Sequence, residues 1–234
     1  MWAWSWWARA EAPVPAAEIS STTGRGKPYD GSRGGNGVKL GLLASGRGTV
    51  LQAILDACRS GRLAAEPALV ISNNSRSGAA ERARLEGIPV CHLSGRTHSD
   101  VAALDAAIAA SLEEHAVELV VLAGYMKKLG PQVLACHRGR ILNTHPALLP
   151  KFGGPGMYGQ HVHEAVLAAG ETETGVSIHL VDADYDTGPV IAQCLVPVLE
   201  GDDAGRLGER VQKRERAFYV DTLREIVEGR LVLP

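Results

Sequence analysis

Cysteine is sparse and unpaired by pattern. The 234 residues hold 4 cysteines, Cys58, Cys91, Cys136 and Cys194, and none sits in a CxxC. That spacing excludes a zinc knuckle and a disulfide scaffold, and it reads as reduced, mostly buried thiols in a cytoplasmic protein. Long apolar runs are missing too, none nearing the roughly 18 residues that a membrane span needs. Neither sign of charge dominates: the formal net charge is -2, which leaves no electrostatic footprint for nucleic acid or an anionic membrane. Tryptophan is absent after Trp2, Trp4, Trp6 and Trp7. Helical or strand periodicity is absent before Val38, where Pro13, Pro15 and a Ser/Thr/Gly-rich tract read as a disordered N-terminal extension over 1–37. A secretory signal would place basic residues before its apolar core, whereas Arg9 follows the tryptophans. Glu11, Glu18 and Asp30 count against a transit peptide.

What is present is an ordinary globular composition, 45% hydrophobic and 21% charged, enough for one core of normal size. From Val38 onwards short apolar runs alternate with segments of helical period. Val38 to Ala44 reads as a buried parallel strand. The loop Ser45-Gly46-Arg47-Gly48-Thr49 follows, then a helix marked by Leu51, Ile54, Leu55 and Cys58. Ala68–Ile71, Ile88–Cys91 and Val117–Ala123 are further strands, with helices at 79–85 and around Val101, Leu104, Ile108 and Leu112. This order predicts an α/β fold, a doubly wound and mostly parallel sheet. Two later runs, Val176–Val181 and Pro189–Val196, predict an antiparallel C-terminal hairpin. A helix at about 161–169 precedes it and one at about 204–227 closes the chain.

Three loops leave strands at the carboxyl edge, where such sheets bind ligands: Ser45–Thr49, Gly124–Leu129 and Asn143–Pro150. The third carries the chemistry. Asn143 and His145 lie two apart at the end of a strand beginning near Ile141, so they share a face while Thr144 takes the other. Pro146 ends the strand. An amide donor beside an imidazole suits a carbonyl oxygen gaining charge and an amine losing a proton. The bland alternative is a turn Asn and a surface His. The turn Asp182–Gly188 holds three carboxylates, to be read as a metal site, a loop near a catalytic group, or a solvated turn. Glu215 falls on the apolar stripe Leu207, Val211, Phe218, Thr222 and Ile226 of the last helix, and a carboxylate there needs a partner.

Asn143-x-His145-Pro146, the turn Asp186-Thr187-Gly188-Pro189 and the loop Ser45-Gly46-Arg47-Gly48 together resemble the phosphoribosylglycinamide formyltransferase family across residues 38–234. The resemblance implies a Rossmann-like formyltransferase domain over that range, with 10-formyltetrahydrofolate as co-substrate, glycinamide ribonucleotide as acceptor and no metal. It implies Asn143, His145 and Asp186 as catalytic residues, with Asp186 favouring a protonated His145. It places the ribonucleotide on Gly48, Thr49, Val50, Gln212, Lys213, Arg214 and Glu215. The folate falls on Met126, Lys127, Lys128 and Leu129, on Asn143, and on Asp182, Ala183, Asp184, Tyr185 and Asp186. The family commonly has Ser-Asn where this chain has Thr49-Val50, so position 50 can offer a phosphate only its backbone N–H. Asp100 and Val101 stand where some members carry a folate-contacting Arg. The related formyltetrahydrofolate hydrolase is the alternative. It usually has a second His after the catalytic one, here Pro146, and an N-terminal regulatory domain. Methionyl-tRNA formyltransferase would need a further C-terminal domain and a basic surface. A non-catalytic nucleotide-binding module would explain the glycine loop but not Asn143, His145 and Asp186 together.

Overall fold

The computed structural model describes residues 37–234, so the expected extension over 1–37 falls, apart from Gly37, outside the described residues. A single seven-stranded sheet runs β3-β2-β1-β4-β5-β6-β7. Its strands are β1 (Val38–Leu43), β2 (Ala65–Ser72), β3 (Val90–His92), β4 (Leu119–Leu122), β5 (Ile141–His145), β6 (Glu173–Leu180) and β7 (Val190–Pro197). The pairings from β3 through β5 are parallel, and β6 pairs antiparallel with both β5 and β7. The helices are α1 (Thr49–Arg59), α2 (Gly78–Leu85), α3 (Val101–Glu114), α4 (Pro131–Cys136), α5 (Gln160–Ala168) and α6 (Ala204–Val227).

Strand alternation divides the core between the two sheet faces. Leu40 and Leu42 of β1 join Leu51, Ile54 and Leu55 of α1 and Tyr219, Leu223 and Ile226 of α6. Leu43 points the other way, toward Ile108 and Leu112 of α3 and Val133 of α4. Because α1, which follows β1, and α4, which follows β4, lie on opposite faces, the loops after these neighbouring strands diverge and open a crevice at the carboxyl edge. Both large aromatic side chains of α6 work here. Tyr219 is fully buried, and its hydroxyl donates to the carbonyls of Leu142, at 3.0 Å, and Leu122, at 3.4 Å. That fastens α6 across the ends of β4 and β5. Phe218 packs only partly buried.

Three details depart from the sequence reading. The third strand is displaced to Val90–His92, since Ile88-Pro89 approach it as a turn; the Pro89 carbonyl still accepts from Val70 N–H at 2.9 Å. Helix α4 went unread because it is short and carries little periodicity. It is specified by Pro131 at its first turn and by Asp105 of α3, which accepts from the N–H groups of Gln132 (2.7 Å) and Val133 (3.3 Å). Of the cysteines, read from sequence as mostly buried, Cys136 closes α4 on its exposed side, whereas Cys194 is buried.

Candidate active site

Strand β5 ends where Pro146 lacks an N–H, and the chain then bends back across β6. Ser177 of β6 sets that bend: its hydroxyl donates to Ala147 O at 2.6 Å and accepts from Leu149 N–H at 2.9 Å. Asn143 stands directly opposite His179 in the antiparallel β5–β6 register. His179 Nδ1–H donates to Leu180 O at 2.9 Å, so Nε2 is the accepting nitrogen, and Asn143 Nδ2 donates to it at 3.0 Å. This bond settles which way the amide faces and leaves a second Nδ2 hydrogen for a ligand.

Asp186 reaches the same place from the turn between β6 and β7. Its backbone is left-handed, φ 58, a conformation Asp tolerates better than most residues. Oδ2 lies 3.5 Å from His145 Nδ1 and accepts from Gly154 N–H at 3.0 Å; Oδ1 lies 3.5 Å from His179 Nε2. Burial pushes this carboxyl up, but the neighbouring His179, the Gly154 N–H and His145 together outweigh it and hold the pKa below the ordinary 3.8. The other two carboxylates of the turn have structural work. Asp182 accepts from Asp184 N–H and from Thr187 Oγ1, and Asp184 pairs with Lys128 at 3.4 Å.

The expectation that Asp186 keeps His145 protonated is corrected. His145 is 3% exposed, and burial lowers its pKa below 6.5 despite Asp186 and the Phe152 carbonyl, which raise it. The imidazole is neutral at neutral pH. Nε2–H donates to Phe152 O at 2.7 Å, so Nδ1 presents a lone pair toward the carboxylate. An ionised Asp and a neutral His in contact can together take up one proton.

These groups form part of the wall of a cleft of about 540 Å³. Met126 and Lys127 border it on one side, Gln212 and Glu215 of α6 on another, and the stretch Gly154–Gly159 on a third. A smaller pocket of about 70 Å³ opens beside Asn143, His179 and Asp186, between Lys127, Lys128, Leu129 and Asp182, Asp184, Tyr185. Thr144, on the opposite face of β5 as alternation predicts, lies beside Glu215. Burial raises the Glu215 pKa to about 7, against the nearby Thr144 hydroxyl and Arg216. Of the residues expected to bind ligand, Ala183 borders neither space, nor do Lys213 and Arg214. Arg214 lies over the Phe218 ring, 5.8 Å from its centre, and interacts with Cys194, because a residue two positions along a helix from Gln212 points to a different side. Gly48, Thr49 and Val50 also lie outside the cleft walls, and Val50 is buried in the core.

His179 was missed from sequence, although a signal existed. In Val176-Ser177-Ile178-His179-Leu180, apolar and polar residues alternate, which puts Ser177 and His179 on one face of the strand. The partners from Phe152 and Gly154 are backbone groups, which no side-chain pattern announces.

Residues 38–223 match the family described as formyl transferase. The phosphoribosylglycinamide formyltransferase of Mycobacterium tuberculosis (strain H37Rv) is 46% identical over 182 residues, covering 78% of this chain and 81% of that protein. The chloroplastic phosphoribosylglycinamide formyltransferase of Vigna unguiculata is 37% identical over 194 residues; the match covers 83% of this chain and spans 62% of the length of that relative. Among solved structures, glycinamide ribonucleotide transformylase 1 from Symbiobacterium toebii superposes with a TM-score of 0.80 at 39% identity, covering 88% of this chain and 96% of that one. A formyltetrahydrofolate deformylase from Pseudomonas syringae pv. tomato is more distant, 26% identical with a TM-score of 0.74 over 83% of this chain and 62% of that one. On sequence and on fold alike, the chain belongs to the phosphoribosylglycinamide formyltransferase family.

Proposed function

We propose that this chain transfers the formyl group of 10-formyltetrahydrofolate to the primary amine of glycinamide ribonucleotide, a step of purine synthesis. The observation that carries the reading is the convergence of Asn143, His145 and Asp186 between the loops assigned to folate and the α6 residues assigned to the ribonucleotide. The amine nitrogen attacks the formyl carbon, and the carbonyl π pair moves to oxygen. The free Nδ2 hydrogen of Asn143 donates to that oxygen as it becomes negative. The proton lost by the amine goes to the Asp186–His145 pair, directly or through water. Collapse re-forms the carbonyl and breaks the bond to the folate nitrogen, which takes up the proton held by the Asp186–His145 pair and leaves as a secondary amine, returning the pair to its starting state. Gln212 and Glu215 hold the ribonucleotide. No helix among the described residues is long and apolar enough to cross a membrane; a cytoplasmic place of action belongs to this proposal.

The test is formyl transfer assayed with and without the ribonucleotide. Turnover that requires the amine supports the reading. Equal release of formate without it would assign the chain to the hydrolases instead, and binding without turnover would make it a nucleotide-binding module.

Glu215 gives a separate prediction, on stability. Folded, it keeps its proton up to about pH 7, whereas the ordinary value is 4.5. Between these values the folded chain holds a proton that the unfolded chain has released, so raising the pH through this window lowers stability. Glu215→Gln removes that dependence. Urea unfolding of both proteins without ligand should show the difference shifting in favour of Glu215→Gln from below pH 4.5 to above pH 7. A difference that stays constant across the window would contradict the assigned protonation.

A further inference from the structure

The loop between β1 and α1 is clamped from behind by α2. Gly46 O accepts from Ala79 N–H at 3.1 Å, and Arg47 O accepts from Arg82 Nε–H at 3.0 Å. The second guanidinium arm of Arg82 donates to Gln52 Oε1, on the first turn of α1, at 3.0 Å. The approach is close enough to require glycine on both sides. A Cβ on Gly48, whose φ is 74, would meet Ala79 Cα at 2.6 Å, and a Cβ on Gly78 would meet Arg47 O at 2.8 Å.

This clamp has a directional consequence. In a planar trans peptide the C=O and the following N–H point in opposite directions. Two successive carbonyls, those of Gly46 and Arg47, are turned toward α2, so the N–H groups of Arg47 and Gly48 are turned away from it. They precede an α1 N-terminus whose N-cap is glycine, with no side-chain capping bond and no acidic residue in the first turn. Consecutive N–H groups turned one way at a helix start make a concavity for an anion. Val50, buried in the core, contributes no side chain to it.

We propose that Arg82 is a positioning residue for the phosphate of the acceptor substrate: by holding the Arg47 carbonyl against α2 it fixes the loop in its anion-binding form and sets the preference for a phosphorylated over an unphosphorylated acceptor. The proposal builds on the function assigned above and deepens it. Arg82 does not touch substrate. Without its guanidinium the Arg47–Gly48 peptide is free to rotate, and the Gly48 N–H no longer stays turned outward.

The experiment compares the full chain with Arg82→Met and Arg82→Lys. Steady-state kinetics use glycinamide ribonucleotide and the corresponding riboside that lacks the phosphate. Arg82→Met should raise KM for the ribonucleotide roughly tenfold, the scale of one hydrogen bond to an anion. Both kcat and the folate KM should stay within about twofold, a split that a merely structural role would not produce. KM for the riboside should not move. Arg82→Lys, which keeps one donor of the fork, should recover part of the loss. Inorganic phosphate, titrated by calorimetry, should bind more weakly to Arg82→Met than to the parent. An unchanged ribonucleotide KM in a folded Arg82→Met protein, or equal rises for both acceptors, overturns the clamp. If the parent chain forms no product from the ribonucleotide, the functional reading falls; the phosphate titration then decides on the clamp alone. Phosphate binding unaltered by Arg82→Met would end it.

Discussion

Asn143→Ala should lower kcat for formyl transfer by two to three orders of magnitude, the usual effect of removing an oxyanion donor, about 3–4 kcal/mol of barrier. The amide serves the oxygen only once charge has developed there, so KM for both substrates should change little. Asn143 has a second bond, to His179 Nε2 at 3.0 Å, and its loss bears on folding as well as on chemistry. Thermal unfolding of the variant separates the two: a protein that melts near the parent temperature but turns over at the reduced rate places the effect in the transition state. A kcat within tenfold of the parent would put the oxyanion elsewhere.

Asp186→Asn should be at least as damaging, in the range of about 10²–10⁴ for a lost proton acceptor. The side chain keeps its shape but can no longer take a proton or favour an imidazolium. Asp186 raises the His145 pKa against the dominant effect of burial, so the substitution should lower it further. An NMR titration of His145 would show its protonation displaced to more acid pH. The same change should appear in the rate. Activity of the parent should fall as the pH drops below 6.5 toward the lowered His145 value, because the protonated imidazole can accept nothing. Combining Asp186→Asn with His145→Ala should cost less than the sum of the single losses, since the two act as one acceptor. Additive losses with an unmoved His145 titration would dissolve the pair and leave water to take the proton.

The sheet was legible because its central strands are buried on both faces and therefore appear as nearly continuous apolar runs, such as Leu119–Leu122 and Val38–Leu43, the latter broken by Lys39. The reversal of β6 and β7 was legible because a hairpin needs only a short acidic turn. Helix α4 was not. What specifies it is a side chain from a remote helix, Asp105, and no local pattern encodes that. Within the site, Asn143 and His145 were picked out by their spacing at a strand end and Asp186 through the family resemblance, and the fold brings the three together. The protonation of His145 was misjudged for a physical reason. From sequence a neighbouring carboxylate can be inferred, but the depth of burial that opposes it comes from the three-dimensional packing of β5 beneath residues 146–154. Lys213 and Arg214 were grouped with Gln212 and Glu215 as one ligand stretch, but they line neither space, since consecutive residues of α6 cannot all face the cleft.

The bond from Gly154 N–H to Asp186 Oδ2, 3.0 Å long, makes one wall of the cleft answer to the charge on the carboxylate. Gly154 opens the stretch that borders the cleft as far as Gly159, and an ionised carboxylate grips an N–H about twice as strongly as a neutral acid does. Asp186→Asn therefore reaches beyond proton transfer: it also loosens the hold on that wall, and the KM values of the variant should carry this second effect alongside the loss of kcat.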